Sequence, residues 1–155
     1  MHASLWLPVS YLALVCIPLS VFDLREHRLP NPLTYPAIGL ASIAVVWLLL
    51  EGEYQNAVAS LIAGAGTFGI GYWMARAELV GMGDVKLLTS NHAILAAISP
   101  VFILVSLFSA FALATAFNMA QLVAGRISLR SPVAMGPFLL LGFFFAVGLS
   151  SPLVA

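Results

Sequence analysis

The sequence has very few charged residues. Of its 155 residues, 62% are hydrophobic and only 8% are Asp, Glu, Lys or Arg, whereas soluble domains carry about 25% charged residues. These charges are too few to cover a surface that faces water, so the apolar side chains must face another medium, and lipid is the simplest one. The composition therefore predicts an integral membrane protein and excludes an ordinary soluble domain.

Cysteines and clustered basic residues are also scarce. Cys16 is the only cysteine, so it has no partner for an internal disulfide or a zinc site, and we interpret it as a small buried hydrophobe. The six Lys and Arg residues balance six Asp and Glu residues without forming a basic run, which argues against nucleic acid as a partner. The sequence also lacks a His-x-x-x-His or similar cluster, so we expect neither a metal nor another cofactor.

The apolar residues fall into six segments, which predict an all-α bundle of about six transmembrane helices in a single domain, residues 1–155. A helix that spans the membrane needs roughly 20 residues. The fourth segment is short and polar, so we expect it to be tilted or enclosed by the other helices. The first segment lacks a basic start and a cleavage pattern, and we interpret it as a retained span. The predicted segments cover about 5–22, 32–50, 56–75, 84–98, 99–123 and 131–149, with Asn31 as the N-cap of the second.

All the basic residues lie in or beside the odd-numbered connections between segments, whereas the second connection holds Glu51 and Glu53. The positive-inside rule places connections rich in Lys and Arg in the cytoplasm. We therefore predict that both termini are non-cytoplasmic and that Asp23 and Asp84 lie at the cytoplasmic face. The basic residues are Arg25 and Arg28, Arg76 and Lys86, and Arg126 and Arg130.

Asp23 and Asp84 are the strongest candidates for an active site. Each lies at the edge of an apolar segment, where an ionisable group is costly and suggests function. Two carboxylates that approach closely do not both ionise easily, so one keeps its proton. Such a pair performs the chemistry of an aspartic protease, in which one carboxylate activates water and the protonated one polarises the scissile carbonyl. The alternative for each is an interfacial acid paired with a neighbouring Lys or Arg.

Two groups of glycines have different interpretations. Gly81 and Gly83 precede Asp84, and we expect them to let the backbone bend where the fourth helix begins. The stretch 64–69 matches G-x-G-x-x-G, but it lies within an apolar segment without a preceding strand. We therefore predict that its glycines, together with Gly71, allow close helix packing.

Four other polar residues are weaker candidates. His92 lies in the polar part of the fourth segment, and we predict a structural hydrogen bond for it. Asn91 follows Asp84 by seven residues and shares its helix face, so we expect Asn91 to line the site. Glu26 and Glu78 are loop acids, and they are alternatives to the two aspartates or attract a positively charged peptide.

Three ordered stretches of the chain resemble the type IV prepilin peptidase family. Residues 22–31 (FDLREHRLPN) resemble the first box of the family, an aspartate followed by polar residues and then an aliphatic residue, Pro and Asn. Residues 81–88 (GMGDVKLL) resemble the second box, G-x-G-D followed by an aliphatic residue and Lys. Residues 132–139 (PVAMGPFL) are similar to a late Pro-x-x-Gly-Pro-Phe segment. The resemblance covers nearly the whole chain, in order.

This resemblance implies a membrane aspartic endopeptidase. Such an enzyme removes short basic leader peptides, usually after a glycine, from prepilins and pseudopilins of type IV pilus and protein secretion systems. Its partners would be those substrates and membrane lipids, and its site would face the cytoplasm at the inner (plasma) membrane. Asp23 and Asp84 match the two catalytic aspartates of the family. The boxes also imply that the following residues shape the site: Pro30, Asn31, Gly81, Gly83, Lys86, Gly136 and Pro137.

Two alternatives and one departure accompany this resemblance. Larger members of the family carry paired Cys-x-x-Cys motifs linked to N-methylation, so we expect a peptidase without N-methyltransferase activity. A presenilin-like or signal-peptide-peptidase-like protease shares G-x-G-D, but the short chain and the Leu-Pro-Asn stretch argue against it. The remaining alternative is a non-proteolytic transporter or pilus-assembly subunit whose aspartates relay protons.

Overall fold

A computed structural model describes residues 2–128 and 133–150 of the protein. Within these two ranges the chain forms six α-helices, preceded by a short 3-10 helix at Ala3–Leu5, and no strand. The predicted all-α architecture is therefore confirmed. The helices are α1 Trp6–Glu26, α2 Asn31–Leu50, α3 Tyr54–Arg76, α4 Met82–Ile98, α5 Val101–Val123 and α6 Gly136–Ser150.

Length and hydropathy divide these helices into two groups. In the part of the chain that the structure describes, α1, α2, α3 and α5 are long and apolar enough to cross a membrane. The apolar α6 is shorter, with 15 residues, and α4 has 17 residues. The protein is therefore a membrane protein, and the short fourth helix is confirmed.

Helix α4 lies inside the bundle. It contacts α2, α3, α5 and α6, with the most extensive contact to α3. Nearly all its side chains from Val85 to Ala97 are buried. This position explains how a helix in the membrane tolerates Thr, Ser, Asn and His, because these side chains face protein rather than lipid. The predicted enclosure of the fourth segment is confirmed.

The α3–α4 contact depends on two glycines of α3. A Cβ atom on Gly64 would lie 3.3 Å from the Cβ of Ala93, and one on Gly71 would lie 2.6 Å from Cγ1 of Val85. The prediction of close helix packing is therefore confirmed for these two positions. It is wrong for the other two glycines of the pattern, whose Cβ atoms would meet no described atom within 4 Å: Gly66 and Gly69.

The end of α1 and the start of α2 differ from the predicted boundaries. Helix α1 continues beyond Phe22 and ends at Glu26. The next residue, His27, is the C-cap, and its left-handed backbone (φ 50°) terminates the helix. Helix α1 continues beyond Phe22 because Leu, Arg and Glu favour helix and no proline or glycine interrupts them. Helix α2 has Pro30 as its N-cap. The prediction of Asn31 as N-cap is therefore wrong, since Asn31 is the first residue of α2.

Helix α6 begins later than predicted. Residues 133–135 are not helical, and the helix starts at Gly136. Pro137 then occupies the first turn, where its missing N–H leaves no hydrogen bond unmade. The predicted start at Ser131 and Pro132 lies outside the described residues, as does Arg130.

Candidate active site

Asp23 lies in the last turn of α1 and is anchored to the start of α6. Its side chain is only 5% exposed, and its Oδ2 accepts a hydrogen bond of 2.7 Å from the backbone N–H of Gly136. Because Gly136 begins α6, its N–H has no acceptor within that helix, and the positive end of the helix dipole favours a carboxylate. This contact joins two residues that lie 113 positions apart in sequence.

Gly136 permits this contact because it has no side chain. A Cβ at this position would lie 2.8 Å from Oδ2 of Asp23 and 3.1 Å from Cδ2 of Leu29. Any other residue would therefore push the carboxylate or Leu29 away. This steric requirement gives a physical reason for a glycine at the start of α6.

Asp84 is the third residue of α4, in its first turn and outside the four candidate spans. Its Oδ1 is buried, and no described residue provides a hydrogen bond to it. Burial raises the pKa of Asp84 to about 6, and the negative charge of Asp23 contributes to this rise. Asp84 therefore keeps its proton at a pH where an ordinary aspartate is ionised.

Gly81 and Gly83, the glycines before Asp84, do not form the backbone bend that we expected from the sequence. Neither has a positive φ, and Gly81 has an extended backbone (φ −67°, ψ 136°) that any residue adopts. Gly83 matters for its size, because a Cβ there would lie 2.7 Å from the Cβ of Leu29 and 3.2 Å from its backbone nitrogen. The small residue lets the start of α4 pack directly on the segment that follows α1.

Leu29 was not singled out by our sequence analysis, apart from its place in the first box. Its side chain is buried, and it lies against both Gly83 of α4 and Gly136 of α6. Leu29 therefore contacts both the start of α4, which carries Asp84, and the start of α6, whose Gly136 N–H donates to Asp23. The signal that indicated it was the aliphatic residue before Pro-Asn in the first box.

Lys86 connects α4 to the start of α2. Its Nζ donates a hydrogen bond of 2.6 Å to Oδ1 of Asn31 and lies 4.3 Å from the centroid of the Tyr35 ring. The side chain is 8% exposed, so the amide oxygen and the ring compensate for part of the lost hydration of a buried ammonium group.

Pro30 also contributes to the start of α2, because its carbonyl accepts a hydrogen bond from the backbone N–H of Leu33.

Asp23 and Asp84 line one cavity of about 390 Å³, which we call the polar cavity. Three basic side chains, His27, Arg28 and Lys86, also line it. The structure thus brings together the two aspartates and several residues of the first two boxes, although neither Glu26 nor Glu78 is among the lining residues. The complete lining is Asp23, His27, Arg28, Leu29, Asn31, Gly81, Met82, Gly83, Asp84 and Lys86.

The polar residues farther along α4 lie outside the polar cavity. Asn91 is buried, and its amide has no hydrogen-bond partner among the described residues. Our expectation that Asn91 lines the site is wrong, because Asn91 is not among the residues that line the polar cavity. His92 forms a hydrogen bond of 2.8 Å between its Nδ1 and Oγ1 of Thr67 on α3, which confirms the predicted structural hydrogen bond.

Comparisons with known proteins identify relatives of the chain. Residues 10–151 match the model of a family described as the type IV leader peptidase family. The chain is 32% identical over 144 residues to prepilin peptidase EppA of Methanothermobacter thermautotrophicus. That alignment covers 91% of this chain and 36% of the relative, so the chain spans about a third of the length of the curated relative that it matches. No solved structure matches the chain.

Proposed function

Because the chain belongs to the type IV leader peptidase family, we propose that it is a membrane aspartic endopeptidase that cleaves basic leader peptides from prepilin-like or pseudopilin substrates. One observation carries this proposal: two aspartates from different helices line a single polar cavity. Asp23 accepts a backbone hydrogen bond, whereas one oxygen of Asp84 is buried without a partner among the described residues. The two carboxyl groups therefore differ in environment, as an acid and a base must.

The two aspartates have different roles in this mechanism. The N–H of Gly136 favours the ionised form of Asp23, so Asp23 takes a proton from the attacking water. Because its pKa is raised to about 6, Asp84 is protonated below that pH, and in this form it donates its proton to the scissile carbonyl oxygen as water adds to the carbon. Asp23 then gives its proton to the amide nitrogen, the C–N bond breaks, and Asp84 regains a proton from the tetrahedral intermediate. Water is consumed, and a carboxylic acid and an amine are released.

The orientation in the membrane follows from the charges around the site. We propose that residues 1–155 form one multi-pass domain of the inner (plasma) membrane, with the polar cavity at the cytoplasmic face and both termini on the other side. Arg28 and Lys86 line the cavity, in agreement with the positive-inside rule. Reporter fusions test this orientation, since a cytoplasmic signal from a fusion at the α2–α3 connection, beside Glu51, would contradict it.

Co-expression with candidate prepilins tests the catalytic proposal. Immunoblots should show leader removal by the wild type and a loss of rate of about 10²- to 10⁴-fold for Asp23→Asn and Asp84→Asn. Glu26→Gln is the matched control, because Glu26 is an exposed acid at the same end of α1 as Asp23. This variant should cleave the prepilin at the wild-type rate. Normal cleavage by either aspartate variant, at equal amounts in the membrane, would refute the proposed pair.

A further inference from the structure

A second cavity shares a lining residue, Asp84, with the polar cavity. This apolar groove of about 620 Å³ lies between α3, α4, α5 and the start of α6. Gly81 and Asp84 line both the groove and the polar cavity. Asp84 therefore stands at the junction of a polar and an apolar compartment. The groove is defined by Asp84, Ile70, Met74, Leu88, Leu107 and Phe111, among others.

The groove extends along α4 from its cytoplasmic-side acid toward the middle of the helix. Asp84, Leu88 and His92 follow one another at intervals of four residues, and all three line the groove. At a rise of about 1.5 Å per residue, Asp84 and His92 are about 12 Å apart along the helix axis. This length accommodates about four residues of extended chain or about two turns of a helix.

We propose that this apolar groove binds the hydrophobic segment that follows the scissile bond of the substrate. The inference rests on the proposed function, in which a polar leader precedes an apolar stretch. The opposite direction would place the charged leader in the apolar groove, where its side chains would lose water without gaining replacement hydrogen bonds. The cleaved bond then lies beside Asp84, where the two compartments meet.

Another apolar cavity of similar size provides a comparison. It has a volume of about 640 Å³ and lies between α2 and α3, on a different side of α4. Neither aspartate lines it, so a peptide bound there would not extend into the polar cavity. The continuity of the apolar groove with Asp84, and not its volume, therefore selects it as the binding site.

Helix α3 offers matched positions for an experiment. Ile70 lines the apolar groove and is 68% exposed, whereas Leu61 lines the other cavity and is 52% exposed. A photoreactive benzoylphenylalanine is placed at either position of the full chain in membranes, with Asp23→Asn to prevent turnover, and a prepilin is co-expressed. We expect a prepilin adduct at Ile70 at several times the yield at Leu61. Equal yields, a higher yield at Leu61, or adducts with lipid alone at Ile70 overturn the inference.

Cleavage kinetics provide an independent measurement with intact aspartates. Ile70→Trp should raise KM on the order of tenfold by filling the groove, with little change in kcat, whereas Leu61→Trp should leave both constants unchanged. Size-exclusion profiles check that both variants remain folded. If no prepilin is cleaved but the adduct forms at Ile70, the proposed function fails and the groove assignment stands. If cleavage occurs and Ile70→Trp behaves like Leu61→Trp, only the groove assignment fails.

Discussion

The contact between Gly136 and Asp23 leads to a sharp prediction for Gly136→Ala. The new Cβ would lie 2.8 Å from Oδ2 of Asp23, and an ordinary contact needs at least 3.4 Å. The carboxylate must therefore move by more than half an ångström, and its hydrogen bond of 2.7 Å to the Gly136 N–H is lost or distorted. Leu29, the other close neighbour, meets the new methyl only with a terminal carbon and yields more easily.

Two estimates give the size of the effect. A hydrogen bond to an ionised group contributes about 1.5–3 kcal/mol, which corresponds to a factor of about 10 to 150 in rate if it acts in the transition state. Displacement of a catalytic group by about 1 Å costs about a hundredfold. We therefore expect Gly136→Ala to lower kcat for leader cleavage by about 10- to 100-fold, with a smaller effect on KM.

The assay is prepilin cleavage by purified protein in proteoliposomes, followed over time on immunoblots. Gly148→Ala is the control in the same helix, because its Cβ would meet no described atom within 4 Å, and it should cleave like the wild type. A wild-type rate for Gly136→Ala would show that the position of Asp23 does not depend on this contact. An equal loss in both variants would assign the effect to α6 as a whole.

Four further predictions concern pH and stability. Cleavage should slow as the pH rises above about 6, roughly tenfold per pH unit, because the reaction needs the proton of Asp84, whose pKa is raised to about 6; a flat pH profile up to pH 8 would contradict this role. The same raised pKa favours the folded state when Asp84 is protonated, so its contribution to the free energy of unfolding should be lost as the pH rises through about 6. Lys86→Met should lower the free energy of unfolding by about 1.5–3 kcal/mol, and a double-mutant cycle with Asn31→Ala should be non-additive because the two side chains share one hydrogen bond. Gly71→Ala should destabilise the protein by about 1–3 kcal/mol, measured by thermal unfolding in detergent, and Val85→Ala should restore stability because Val85 is the residue that the new methyl meets.

The class of the protein follows from local properties of its sequence. The scarcity of charge predicts a membrane protein, because charged side chains are costly in lipid. The apolar segments predict six helices, because a backbone in lipid must satisfy its hydrogen bonds within each segment. The enclosed position of α4 is predictable as well, since only a helix shielded from lipid tolerates residues such as Asn91 and His92. The placement of Asp23 and Asp84 beside polar connections also needed no structure.

The arrangement of the site depends on contacts between distant residues, which local patterns do not encode. Glycines before Asp84 suggested a flexible backbone, yet Gly83 proves to be needed for the close approach of Leu29. The end of α1 at Glu26 and the start of α6 at Gly136 were misjudged by a few residues, because capping and packing decide where a helix stops.

Sequence by itself therefore determined the membrane class, the number of helices and the two acids as candidates. Tertiary structure alone decided that a backbone N–H at the start of α6 holds Asp23, and that Asp84 separates a polar from an apolar compartment. The physical reason is that hydrophobicity and charge act residue by residue, whereas the environment of a carboxylate depends on which helices pack around it.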